Sequence, residues 1–155
     1  MYYPDIKKSQ SLYELNTNDG DISSLIQLAD GTIVTGHYNK KKVSFYTYNF
    51  KKLTENSIST PGYVTCLCEI NDNILAIGIY NPYNILLYDL SEKENGTFKL
   101  IKTLEGHSGK INSIIDINDN YLASGGAGSY EIFIWDKKNN YNLKKYQPIQ
   151  VILIV

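Results

Sequence analysis

The feature that most constrains this chain is a pattern that recurs three times within its 155 residues. Segments that begin at Asp21, Tyr63 and Lys110 align without an internal gap when 42 and then a further 47 are added to each residue number. The aligned positions that keep their apolar, glycine or aromatic character are Ile22, Leu25, Leu28, Ile33, Gly36, Val43 and Tyr46, then Val64, Leu67, Ile70, Leu75, Gly78, Ile85 and Tyr88, then Ile111, Ile114, Ile117, Leu122, Gly125, Ile132 and Trp135. Such a period predicts a repeat architecture in which each copy folds as one small unit and packs on its neighbours.

A turn signal stands at the same place in each copy, as Asp30-Gly31, Asp72-Asn73 and Asp119-Asn120. These pairs favour the positive φ angles of a two-residue type I′ turn, which joins antiparallel strands. Each copy is therefore predicted to contain a strand, a tight turn, a second strand that ends at the repeat glycine, a polar loop and a third strand.

The spacers between the copies predict a fourth strand for each unit. Phe98–Leu104 is the best candidate, Leu53–Ile58 is weaker, and Leu12–Leu15 would precede the first copy. No segment shows the 3.6-residue period of an amphipathic helix. Four short strands in 42 to 47 residues match the dimensions of a propeller blade. The predicted fold is all-β, with about three four-stranded antiparallel units.

The charge of the chain argues against a nucleic-acid partner and its hydropathy against a membrane. The net charge is −1, and all 15 basic residues are lysine, so the bidentate arginine fork used for phosphate is absent. No apolar run approaches the roughly 20 residues that a membrane helix needs, and the first residues do not form a signal peptide. The expected location is intracellular and cytoplasmic, with the nucleus left open.

The two cysteines, Cys66 and Cys68, predict neither a disulfide framework nor a metal site. They lie two residues apart in an apolar run, so on a strand both face the same side and are poorly placed to bridge each other. Two sulfurs without a nearby histidine do not make a zinc site. We expect both to be small core residues.

The third copy resembles a WD40 repeat. It carries Gly106-His107 and Ser108-Gly109, then Leu122-Ala123-Ser124-Gly125-Gly126, and it ends in Trp135-Asp136, in that family's order. The two earlier copies keep the apolar frame and the glycine but lack Gly-His and end in Tyr46-Thr47 and Tyr88-Asp89. The resemblance implies these boundaries: an N-terminal extension over 1–11, repeats over 12–147 with blades near 21–60, 61–105 and 106–147, and an apolar tail over 148–155.

The resemblance also implies a set of buried structural residues in the third blade. His107, Ser124 and Trp135 occupy three places of the family's hydrogen-bonded set, and Asp136 completes the terminal Trp-Asp. The family's loop aspartate falls where this chain has Gly128, so the set is expected to be incomplete and the third blade less rigid. A buried imidazole and a buried indole N–H each need a partner.

Three blades do not close a ring, because propellers have about 4 to 8 blades. The expected arrangement is an open arc that further blades, from the same or another chain, would extend. The tail Gln150–Val155 is a candidate first strand of a fourth blade, and left unpaired it would be a sticky β segment.

Catalytic readings find little support in the sequence. His37 follows a repeat glycine and is expected in a loop at the surface, and no serine-nucleophile elbow accompanies it. Gly125-Gly126-Ala127-Gly128 lacks the Lys-Ser/Thr that a phosphate loop needs. Glu69 and Asp116 align with each other and are the acidic candidates for a central channel, where a solvated lining is the alternative.

The loops between second and third strands predict a rim for protein binding, because loops at this mouth bind partners in the family. Tyr38 and Tyr80 are equivalent positions, and so are Tyr83 and Tyr130. Tyrosine suits interfaces because it has a large flat face, a polar tip and few rotatable bonds. The alternative is that tyrosine, 14 of 155 residues, is simply abundant. Lys40-Lys41-Lys42 adds charge that an acidic partner or solvent alone could match.

The resemblance therefore implies a non-catalytic scaffold or adaptor for proteins or peptides, with no cofactor and no metal. The alternatives are a propeller fragment without independent function and an enzyme built on a propeller. The first predicts concentration-dependent aggregation, and the second requires polar residues that converge on the central channel.

Overall fold

A computed structural model describes residues 17–46, 52–70, 73–128 and 132–144 of the protein, with 52–55 described by their backbone alone. The predicted strand Leu12–Leu15, the N-terminal extension and the tail over 148–155 lie outside these residues. The strands are β1 Ile22–Gln27, β2 Ile33–His37, β3 Lys42–Tyr46, β4 Lys52–Ser59, β5 Tyr63–Ile70, β6 Ile74–Tyr80, β7 Ile85–Asp89, β8 Lys99–Leu104, β9 Ile111–Asn118, β10 Tyr121–Gly126, β11 Ile132–Asp136 and β12 Asn142–Lys144. Two short 3-10 turns, Lys93–Asn95 and Lys137–Asn139, join the last two strands of the second and third sheets.

The strands form three four-stranded antiparallel sheets, each built from four consecutive strands paired in chain order. We call them the first sheet (β1–β4), the middle sheet (β5–β8) and the third sheet (β9–β12). The all-β prediction with three four-stranded units is confirmed. In the described part of the chain no helix is long and apolar enough to cross a bilayer.

The first strands of successive sheets lie side by side and are joined by side chains. Ser23 Oγ donates to the carbonyl oxygen of Val64 at 2.7 Å, and the backbone N–H of Leu67 donates to Ser24 Oγ at 3.1 Å. The thiol of Cys66 lies 3.7 Å from the carbonyl oxygen of Ile111. β1, β5 and β9 are therefore the inner edges of sheets that follow one another around an axis.

Burial along the strands shows which sheet is covered on both faces. In β6, Leu75 through Ile79 are all buried, because the middle sheet packs against both neighbours. In β1 and β9 exposed residues are interspersed with covered ones, since one face of each outer sheet is open. Cys66 is buried in the core between the middle and third sheets, as predicted, and Cys68 is half-buried and packs against that core; both are free thiols.

The repeat glycine shows the same asymmetry between faces. A Cβ at Gly36 would collide with Val64 of the middle sheet, and one at Gly78 would meet Cys66 and then Ile111 of the third sheet. A Cβ at Gly125 would have nothing within 4 Å. In the first and middle sheets the missing side chain of this glycine leaves room for the inner strand of the next sheet. In the third sheet no described residue fills the space beside Gly125.

The predicted turns of the first and third sheets are at the right places but are not two-residue type I′ turns. In the middle sheet Asp72 lies outside the described residues, and Asn73 has a φ of 81°. Residues 28–32 connect β1 to β2, and the Asp30 carboxylate accepts from the N–H of Thr32 at 2.9 Å. Asp119 and Asn120 form a two-residue turn, but neither has a positive φ. Instead, Asn118 Oδ1 accepts from the N–H of Asn120 at 2.8 Å. In the turn of the third sheet, a side chain that bonds the backbone two residues ahead takes the place of positive φ, whereas in the connection of the first sheet Gly31 has a φ of 89°.

Candidate protein-interaction surface

A shared hydroxyl links three buried side chains of the third sheet. Trp135 Nε1 donates to Ser124 Oγ at 2.9 Å, and His107 Nε2 lies 2.7 Å from the same oxygen. Because the indole N–H can only donate, Ser124 Oγ accepts from it and can still exchange a hydrogen bond with either tautomer of His107. All three side chains are at most 8% exposed.

The shared hydroxyl faces the middle sheet and is enclosed by aromatic rings. The Phe133 ring lies 4.2 Å from that of His107 and meets Trp135 edge-on at 5.9 Å. Asp136 does not join this set. It pairs with Lys144 at 3.1 Å and accepts from the N–H of Asn139, and the hydrogen bond from Lys144 lowers the pKa of its carboxyl. Asp136 therefore fastens the last two strands together.

The first sheet holds a different buried polar cluster, centred on Asp19. Its carboxylate accepts from Ser44 Oγ at 3.0 Å and from Lys42 Nζ at 3.2 Å. His37 Nε2 lies 4.0 Å from Asp19 and 2.8 Å from Thr35 Oγ1. The expectation of a surface His37 is wrong: its side chain is fully buried at the end of β2. The strand continues one residue past the glycine and turns this imidazole towards the same face as Thr35.

The clusters of the first and third sheets occupy equivalent places. Adding 42 and then 47 to the numbers of Thr35 and Tyr46 gives Ser124 and Trp135. Asp19 lies one residue beyond the position equivalent to His107, so a carboxylate stands near the place of the imidazole. Sequence reasoning missed it because Asp19 precedes the first aligned segment. The middle sheet has Ile77 at the place of the hydroxyl and buries it fully.

Tyrosines from the first and middle sheets meet at one mouth of the structure. The rings of Tyr38 and Tyr63 stack with centroids 4.8 Å apart and planes 16° apart. Tyr63 and Tyr80 follow at 6.1 Å, and Tyr80 and Tyr83 at 5.5 Å. All four are half-buried. We call this continuous row Tyr38, Tyr63, Tyr80 and Tyr83 the tyrosine ladder.

The structure brings together three of the four predicted rim residues and adds one. Tyr38, Tyr80 and Tyr83 belong to the tyrosine ladder, and Tyr130 lies outside the described residues. Tyr63 was missed, although it is the ring that connects Tyr38 to Tyr80. Tyr63 is the first residue of β5 and directly follows the short loop after β4. A tyrosine at the start of an inner strand, next to that loop, is the sequence signal that could have identified it as a rim residue.

Two lysines lie over the tyrosine ladder. Lys41 Nζ is 4.9 Å from the centroid of the Tyr63 ring, and Lys110 Nζ is 6.0 Å from that of Tyr38. Lys42, which the sequence placed with Lys41 at the loop tip, instead begins β3 and pairs with Asp19. The cationic part of the rim is thus made by residues from two different loops.

Solved structures of other proteins share this arrangement of sheets. No family model matches the chain, and no curated protein matches it. A solved structure titled "Structure of U3-55K" superposes with a TM-score of 0.66 over 80% of this chain, at 16% sequence identity. "Crystal structure of RRP9 WD40 repeats" superposes equally well, again at 16% identity. The fold is that of a partial WD40 propeller. The predicted resemblance is confirmed at the level of the fold.

This partial propeller spans 38% and 37% of the length of those two chains. Its three sheets correspond to three blades, and within the part of the chain that the structure describes no sheet closes on itself. The tyrosine ladder lies at the mouth where second strands end and third strands begin, as the sequence placed the rim.

The acidic candidates for a channel in this propeller each have a structural partner. Glu69 accepts a hydrogen bond from the N–H of Ala29 at 2.8 Å, and Asp116 pairs with Lys137. Among the described residues no group of three or more His, Cys, Asp or Glu side chains could hold a metal ion. Burial raises the pKa of the Cys66 thiol to about 11, so at neutral pH it is protonated and a poor nucleophile.

Proposed function

We propose that this protein is a non-catalytic scaffold that binds proteins or peptides through the tyrosine ladder. The observation that carries the proposal is the continuous row of four half-buried rings at one mouth, 4.8 to 6.1 Å apart. Half-buried tyrosines combine apolar area with hydroxyl tips, which is the composition of binding hot spots.

The positions of the rings support rigid display. Tyr63 begins β5 and Tyr80 ends β6, and these residues pair across the two strands. Tyr38 directly follows β2, and its N–H donates to the carbonyl oxygen of Asp21 at 3.1 Å. Rings held on strand ends lose little conformational entropy when a partner binds, so more of the contact energy remains as affinity.

The scaffold proposal is tested with peptides selected from a phage-displayed random library against the full chain. The double variant Tyr38→Ala with Tyr80→Ala should weaken binding by about tenfold or more, since hot-spot truncations typically remove over 1 kcal/mol each. Tyr121→Ala is the matched control, because this half-buried ring also carries a lysine, Lys144, at 4.8 Å but begins β10 at the opposite mouth. Binding that survives the double variant in a folded protein would refute the site.

A second proposal concerns the open faces of the outer blades. Large apolar side chains are exposed on the face of the third blade that carries Gly125, with Ile132 75%, Ile115 57% and Ile117 46% exposed. On the first blade Leu25 is 63% exposed. We propose that further blades, from this chain or another, cover these faces, since solvated isoleucine clusters favour association. Light scattering across a concentration series tests this, and Ile132→Lys should shift the solution mass towards the monomer.

The remaining parts of the proposal concern the location of the protein and the class of its partners. We propose an intracellular location, in the cytoplasm or the nucleus, with proteins or peptides rather than nucleic acid or membrane as partners. The net charge of −1 and the lack of arginine support partners other than nucleic acid. A fluorescent tag on the full chain in cells tests the compartment, and secretion into the medium would contradict it.

A further inference from the structure

We propose that the tyrosine ladder, together with Lys41 and Lys110, recognises an extended acidic peptide segment. This inference rests on the proposed binding function of the ladder and names the chemistry of its partner. It is carried by the two ammonium groups over the rings, by the way the rings cover one another, and by the spacing along the row.

Lys41 and Lys110 are distinguished by lying over the rings of the tyrosine ladder without a carboxylate beside them among the described residues. In residues 17–46, 52–70, 73–128 and 132–144, no carboxylate lies within 4 Å of Lys41 Nζ or Lys110 Nζ, residues 52–55 being described by their backbone alone. Lysines that do have such a partner are Lys42, Lys93, Lys137 and Lys144. Lys110 is exposed and Lys41 half-buried, so both charges can meet a carboxylate supplied by a partner.

The ring geometry favours carboxylates over nucleic-acid bases. A base-stacking site needs free aromatic faces, but Tyr38 and Tyr63 stack on each other at 4.8 Å, and Lys41 lies over the Tyr63 ring. What a stacked ring offers outward is its electropositive edge and its hydroxyl, and both attract acceptors. Carboxylates and peptide carbonyls are such acceptors.

The spacing along the tyrosine ladder suits an extended chain. Successive ring centroids are 4.8, 6.1 and 5.5 Å apart. Alternate residues of a strand, which point to the same side, are about 6.6 Å apart. Side chains at alternate positions of an extended segment can therefore meet successive rings, with acidic residues near the lysines.

The test compares peptides from the same selection in fluorescence-anisotropy titrations with the full chain. We expect the selected peptides to be enriched in Asp and Glu, and replacing their carboxylates by amides should weaken binding about tenfold. The double variant Lys41→Gln with Lys110→Gln should produce a loss of the same order. The matched control is Lys99→Gln with Lys138→Gln, two exposed lysines at the opposite mouth, which should change affinity less than twofold. Raising the salt concentration should weaken binding to the wild type more than to the lysine variant.

The outcomes separate this inference from the function on which it rests. Peptides that need Tyr38 and Tyr80 but show no acidic enrichment would overturn the acidic partner and leave the scaffold standing. Peptides that ignore the tyrosines, or no selected peptides at all, would overturn both. Tighter binding of a single-stranded oligo-dT probe than of the acidic peptides, lost in the lysine variant, would overturn the peptide in favour of nucleic acid.

Discussion

Replacing the repeat glycines by alanine should have opposite effects at the two ends of the chain. At Gly36 a Cβ would collide with Cγ1 of Val64 and lie 3.4 and 3.5 Å from further atoms of Val64 and Leu67. At Gly125 a Cβ would have nothing within 4 Å. Neither glycine has a positive φ, so the backbone admits alanine at both positions and the difference is purely one of packing.

The magnitude follows from two opposing effects. Alanine is favoured over glycine inside a strand by about 0.5–1 kcal/mol, and this gain applies to both variants. Overpacking a core costs about 1–3 kcal/mol, and Val64 cannot yield easily because it is β-branched and fully buried. We expect Gly36→Ala to lower the free energy of unfolding by about 1–2 kcal/mol and Gly125→Ala to leave it unchanged or raise it by up to about 1 kcal/mol.

Urea unfolding followed by far-ultraviolet circular dichroism measures both variants against the wild type. In thermal unfolding the loss at Gly36 should appear as a fall of roughly 2–8 °C in Tm. Light scattering on each sample controls for changes in association. The comparison is made at a concentration where light scattering shows a monomer, so that no blade from another chain covers Gly125. If both variants were destabilised equally in the monomer, a further blade of the same chain would cover Gly125. If Gly36→Ala caused no loss of stability, the close approach of the inner strands of the first and middle sheets would be disproved.

Two further perturbations test the interior. Ser124→Ala removes the oxygen that His107 and Trp135 share, so two buried nitrogens lose this hydrogen-bond partner and the free energy of unfolding should fall by about 2–4 kcal/mol. Ser124→Thr keeps the hydroxyl and should lower the free energy of unfolding less. Equal losses in the two variants would show that the shared hydrogen bonds contribute nothing. Burial raises the pKa of the Cys66 thiol from its ordinary 9.0 to about 11, so the native state keeps a proton that the unfolded chain releases, and stability should fall as pH rises between those values. Cys66→Ala should flatten that part of the pH profile in urea unfolding, and an unaltered slope would contradict this cause.

Much of the fold could be predicted because its signals are local. Alternating apolar residues, the repeat glycine and the terminal aromatic residue predict most of the described strands, as the agreement of Phe98–Leu104 with β8 illustrates. The strand β12, Asn142–Lys144, was not predicted from the sequence. In the first and third sheets the turns lie where the Asp and Asn residues predict them. The predicted type is wrong in the third sheet, because the bond of Asn118 to the N–H of Asn120 stabilises the chain there without positive φ.

The candidate site could be predicted only in part, because it is assembled from different blades. The repeat alignment identified Tyr38 and Tyr80, but the ring that joins them, Tyr63, begins an inner strand and has no tyrosine at its equivalent positions. His37 was misplaced for a related reason. Its burial depends on the Asp19 cluster, whose central residue lies before the first repeat.

The sequence by itself determined the repeating unit, since strand alternation, turn residues and the aligned glycines depend on neighbours within one copy. The tertiary structure alone decided which faces are open, which glycine has free space, and which tyrosines and lysines share one mouth. Those properties depend on how the inner strands of successive blades pack around an axis, and contacts between residues some 40 positions apart leave no periodic trace in the chain.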